Sequence, residues 1–124
     1  MTIIEAINRV DSIKPNTYSQ EEKVQWLSTL DGTIKKEIID THEGSELVSF
    51  NGYTVDTPLN TELLVPAPYD QIYVSYLEMQ IDYANAEYGK YNNSMTMYNT
   101  AYAAYERYYN RENKPISRGS RFLF

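Results

Sequence analysis

The chain has 124 residues, a net charge of −6, 13 Tyr against three Phe and one Trp, and no Cys. That length is one domain's worth, and the missing thiols exclude disulfides, thiolate nucleophiles and Cys-based zinc or iron–sulfur sites while fitting a reducing cytoplasm. No stretch approaches the roughly 18 apolar residues of a membrane span, and MTIIEAINRVDSIK has no basic leader followed by an apolar core, so a soluble, unexported protein is expected.

Ile3, Ala6, Ile7, Val10 and Ile13 recur at helical spacing and predict a short amphipathic helix from residue 2 to about 13. Pro15 ends it, because the residue before a proline is pushed out of the α region. Ser19 stands three before Glu22, the capping-box spacing, with Tyr18 placed to pack on the stem of Lys23 or on Val24. Val24, Leu27, Leu30, Ile34 and Ile38 then form one stripe, widened by Trp26 and Ile39, so the second helix should run to about Thr41. Asp31-Gly32 reads as its soft spot, since an interior Gly costs up to about 1 kcal/mol relative to Ala.

Residues 43–69 show no helical period. Phe50-Asn51-Gly52-Tyr53 contains the Asn-Gly of a type I′ hairpin turn, Leu63-Leu64-Val65 reads as a further extended piece, and Pro66 and Pro68 stiffen the exit. An irregular arm with at most a short hairpin is expected, and connections this long are often functional.

Asp70 marks a third helix, in which Val74, Leu77, Ile81, Ala84, Tyr88 and Tyr91 step by three and four. The stepping continues through Met95, Tyr98, Tyr102, Tyr105 and Tyr109. Gly89 and Asn92-Asn93-Ser94 interrupt it, so either one kinked helix spans 70–112 or two helices meet near residue 92. Two are favoured, with Ser94 or Asn93 as the new N-cap, because Gly and two Asn in five positions make a costly helix interior. Pro115 closes the last helix. The expected fold is all-α: a small bundle of about four helices, with a long extended or hairpin-like loop (about 43–69) between the second and third. One domain covers 1–115 and a flexible tail 116–124.

The tyrosines fall on two faces. The stripe from Val74 to Tyr109 is assigned to the helical core, and the flanking row of Tyr69, Tyr73, Tyr76 and Tyr83 to a subunit contact. Tyr brings a large apolar ring at low entropic cost plus one hydroxyl, which suits half-wet interfaces. Interleaved Tyr and Arg can also stack single-stranded nucleic acid, but here the helix body carries Glu78, Asp82 and Glu87.

Little in the chain points to catalysis. His42 is the only histidine, placed at a helix C-terminus where it meets the dipole, and no nucleophile-elbow or phosphate-loop glycine pattern is present. Asp40, Glu43 and Glu46 lack the ligand alternation of a calcium loop. Glu78 and Asp82, at i and i+4, read as a solvated face rather than an acid–base pair. No enzyme, cofactor or metal site is expected. Charge is segregated: residues 1–105 hold 15 acids and 6 bases, whereas 106–124 hold 2 acids and 5 bases. An acidic body disfavours general binding to phosphate backbones, and a short basic tail with apolar residues suits an acidic partner or a neighbouring copy.

Three segments, TYSQEEKVQWLSTLDGTI at 17–34, TELLVPAPYDQIYVSYLEMQIDYANAEYGKYNNSM at 61–95 and the closing YNREN-P at 109–115, resemble head–tail connector (adaptor) proteins of tailed phages and of prophages in Gram-positive bacteria. The resemblance implies a non-enzymatic virion protein of the neck, assembled in the host cytoplasm. Such proteins form a ring, typically of about twelve copies, under the portal and receive the head-completion (stopper) protein, with DNA passing through the lumen. Docking on the portal through the C-terminal segment would fall here on Ile116, Arg118, Arg121, Phe122, Leu123 and Phe124. A small helical nucleic-acid-binding or regulatory interaction protein of a prophage is the alternative.

Overall fold

The computed structural model describes residues 1–116. Four helices carry the fold: α1 (Ile3–Ile13), α2 (Gln20–Glu37), α3 (Gln71–Ala84) and α4 (Tyr88–Glu112). Two short 3-10 turns, Ile39–Thr41 and Ser45–Leu47, follow α2. Among the described residues there is no β-strand, and no helix is long and apolar enough to cross a membrane. The all-α bundle expected from periodicity is what forms.

Each helix start has a local cause. Thr2 and Glu5 make a full capping box on α1: the Thr2 hydroxyl accepts from the Glu5 N–H at 3.2 Å, and the Thr2 N–H donates to Glu5 Oε1 at 2.8 Å. The Ser19 hydroxyl accepts from the Glu22 N–H at 3.1 Å and opens α2. Tyr18 packs against the core, meeting Trp26 edge-on at 5.8 Å and donating to Asn85 Oδ1. Asp70 holds the cap position of α3, but its side chain does not cap. It lies 3.6 Å from the Met1 amino group instead.

Helix α3 is the centre of the bundle, packed on α4 along one side and on α1 and α2 along the other. Ile3, Ile7 and Val10 of α1, Leu27, Leu30 and Ile34 of α2, and Leu77 and Ile81 of α3 are buried together. Each such side chain contributes about 1.5–3 kcal/mol by leaving water. The predicted stripes are interrupted: Ile13, Ala84 and Tyr88 are exposed, and burial resumes along α4, where Tyr98, Tyr102, Tyr105 and Tyr109 pack on the core.

The break between α3 and α4 falls at Asn85–Glu87, with Ala86 at φ +58°, and not at Gly89–Ser94. Gly89 sits in the first turn of α4. Ser94 is no cap: it is buried within the helix and its hydroxyl donates to Asp82 Oδ2 at 2.6 Å. That tertiary bond offsets the weak local propensity of the Asn-rich stretch.

The arm contains no hairpin. Gly52 has φ +91°, but Asn51 is not left-handed, and a type I′ turn requires both. The backbone that would pair with a second strand is used against α2, the Tyr53 N–H donating to Ser28 Oγ at 2.9 Å. Further on, the Leu63 N–H bonds to the Met1 carbonyl and Thr2 bridges Glu62, so the extended piece at 62–63 lies beside the start of α1.

Candidate functional site

The two faces of tyrosines separate differently from their sequence assignment. Tyr73 is fully buried, and its hydroxyl donates to Asp31 Oδ1 at 2.6 Å while accepting from the Val65 N–H at 2.7 Å. Its assignment to a subunit contact is therefore corrected: Tyr73 is part of this chain's own core. It lies on the face of α3 turned to α2 and the arm, three positions before Tyr76, which meets α4.

Tyr69 and Tyr76 are half-buried against α4. Tyr69 stacks on Tyr108 at 4.7 Å, and Tyr76 meets Tyr98 at 5.2 Å. Burial raises the pKa of Tyr76, and that of Tyr98 further, so both rings stay neutral. Of the row of four, Tyr83 alone is largely open, at 59% exposure, beside the equally exposed Tyr88 and close to Tyr91. An aromatic patch thus remains at the α3–α4 turn, smaller than the predicted row.

On another side of the same helix pair lies a cleft of about 320 Å³. Glu78, Asp82 and Ser75 of α3 face Lys90, Asn93 and Met97 of α4 across it, with Lys14 at its end. The reading of Glu78 and Asp82 as a solvated face is corrected here. Asp82 is completely buried, accepting from Lys14 Nζ at 2.7 Å and from Ser94. Glu78 is partly buried, and desolvation raises its pKa, with Lys14 opposing the shift and Asp82 adding to it. Lys90 pairs with Glu87 at 2.8 Å, an exposed i, i+3 contact that lowers the Glu87 pKa and raises that of Lys90.

The C-terminal segment leaves from a defined place. The Glu43 N–H donates to the Lys114 carbonyl at 2.7 Å, and the Ile116 N–H to the Thr41 carbonyl at 2.9 Å, with His42 bridging Pro115 between them. His42 is buried under this edge. Its Nδ1 is 2.6 Å from the Ile38 carbonyl oxygen, its Nε2 is 2.7 Å from Asn110 Oδ1, and its ring meets Tyr109 edge-on at 4.9 Å. The histidine ties the end of α2 to the end of α4. Ile116, the first of the predicted portal-docking residues, is exposed at this edge. Arg118, Arg121, Phe122, Leu123 and Phe124 lie outside the described residues.

Asp31 was missed by sequence reasoning. It is fully buried, accepting from Tyr53 at 2.5 Å, Tyr73 at 2.6 Å and the Leu64 N–H at 3.1 Å. A signal existed: Asp31 lies four after Leu27 and three before Ile34, inside the apolar stripe rather than opposite it. Comparison with known protein families, with curated proteins and with solved structures found no match.

Proposed function

We propose that this chain is a structural assembly protein, a head–tail connector that forms a ring under a portal and links it to the next head-completion protein. The basic, aromatic-ended C-terminal segment docks on the portal, and DNA passes through the lumen. The observation that carries this reading is the pinned exit of that segment. Lys114 and Ile116 are hydrogen-bonded to Glu43 and Thr41, so the chain is held to the edge of the bundle up to the start of that segment. Arg118 and Arg121 supply charge for an acidic surface, and Phe122, Leu123 and Phe124 supply apolar anchors. The ordered resemblance over 17–34, 61–95 and 109–115 supports the same reading, as does an aromatic patch left open at Tyr83 and Tyr88.

The test is imaging and native mass spectrometry of the full chain, alone and with portal protein, beside a chain lacking 116–124. Rings of about a dozen copies on the portal are expected, lost on deletion while helicity is kept. Portal binding unchanged by the deletion refutes the docking assignment. A salt-dependent complex with DNA and none with portal favours the nucleic-acid-binding alternative.

A further inference from the structure

The bases around the α1–α3–α4 cleft are already matched. Lys14 Nζ is 2.7 Å from Asp82, and Lys90 Nζ is 2.8 Å from Glu87. Glu78 is the acid left over, with no hydrogen bond or ion pair among the described residues. Its burial disfavours the carboxylate, a cost that an incoming cation would relieve. Beside it Met97, 64% exposed, gives the cleft an apolar wall. The site therefore fits a side chain with a cationic head and apolar company.

The chain carries such a piece. Residues 117–124 read Ser-Arg-Gly-Ser-Arg-Phe-Leu-Phe, two guanidinium groups and three apolar side chains, on a body whose first 105 residues are net acidic. Reach favours one copy's cleft over another's. Ile116 lies against Thr41, beside the last turns of α4, where His42 meets Tyr109 and Asn110. From Asn110 back to Ser94, at the cleft, is about 24 Å along the helix. A fully extended chain from Ile116 covers about 7 Å to Arg118 and about 17 Å to Arg121. Entering the chain's own cleft would therefore require the tail and an arginine side chain to be stretched out together along α4, an ordering cost that the cleft of a neighbouring copy does not impose.

We propose that residues 117–124 of one copy dock in the cleft of a second copy, an arginine guanidinium pairing with Glu78 and the apolar residues packing on Met97. A carboxylate accepts a guanidinium through two parallel hydrogen bonds, which gives the contact direction as well as charge. Tail and cleft are unlike patches, so the contact is heterologous and closes as a ring or as a reciprocal pair. The inference does not rest on portal binding. It does imply that a tail seated on a partner must first leave its neighbour.

Sedimentation velocity on the full chain over a dilution series tests it. The wild type self-associates reversibly. Glu78→Arg, which spoils the cleft, and Arg118→Ser/Arg121→Ser, which spoils the tail, each weaken association by at least about tenfold. Mixing the two variants restores a complex, because the first keeps its tail and the second its cleft. That rescue shows the cleft of the second variant to be intact, and circular dichroism checks the fold of the first. A wild type that stays monomeric at every concentration, either variant associating like the wild type, or a mixture that does not recover would each overturn the proposal. None of these results bears on whether the chain binds a portal.

Discussion

Replacing Asp31 by Ala removes the acceptor of three hydrogen bonds at once. The Tyr53 and Tyr73 hydroxyls and the Leu64 N–H all point at this carboxylate, which is fully buried. A buried donor left without an acceptor costs about 1–3 kcal/mol, while releasing a buried carboxylate from its desolvation returns part of that. The net loss should be about 3 kcal/mol, or about 10 °C in Tm for a chain of this size. Urea titration followed by circular dichroism measures it, with the m-value unchanged if the native fold is kept. Amide exchange should rise first at Tyr53, Leu64 and Val65, the arm positions held to α2 and α3 through Ser28, Asp31 and Tyr73. Adding Tyr53→Phe to Asp31→Leu should recover stability, because it deletes an orphaned hydroxyl. The pH dependence has a definite sign. Burial raises the Asp31 pKa above the ordinary carboxylate value, opposed by the hydrogen bonds from Tyr53, Tyr73 and Leu64. The folded state therefore holds this proton more tightly than the unfolded chain. The stability it contributes is full below the ordinary value of about 4 and is lost as pH rises through the raised native value. Relative to Asp31→Asn, which does not titrate, the wild type should lose stability across that window. A loss below about 1 kcal/mol for Asp31→Ala, or a wild type that gains on Asp31→Asn with rising pH, would refute the reasoning.

Leu77→Ala should cost about 2–5 kcal/mol by chemical denaturation, because Leu77 is fully enclosed at the centre of the bundle; a cost near zero would mean that α3 is not the core helix. His42→Ala should cost about 1–3 kcal/mol and speed amide exchange at Glu43 and Ile116, whose bonds hold the C-terminal edge that His42 underlies. Unchanged exchange at those two amides would show the edge to be held without it.

Helices α1 and α2 were readable because their determinants are local. Apolar residues at three- and four-residue steps, Ser19 ahead of Glu22, and Pro15 after the first helix lie within a turn or two of what they control. The same local logic called for two helices after residue 70 but misplaced their junction. It weighed Gly89, Asn92 and Asn93 by propensity alone, whereas the buried Ser94–Asp82 bond keeps that stretch helical and the chain turns at Ala86. Tyr73 was misassigned for a related reason. Spacing puts Tyr69, Tyr73, Tyr76 and Tyr83 along one helix, but which neighbour each ring meets depends on the angle at which α3 enters the bundle.

The amino-acid sequence alone determined that this protein is a bundle of helices with an irregular arm and a segregated basic end, since periodicity, caps and charge are properties of neighbours along the chain. Tertiary structure alone decided that Asp31 anchors the arm, that Tyr73 turns inward, and that Glu78 sits in a cleft with no ion-pair partner among the described residues. Those outcomes turn on groups tens of residues apart, as with Asp31 and Tyr73 or Lys14 and Asp82. Burial and hydrogen bonding between such groups are fixed only when the helices pack.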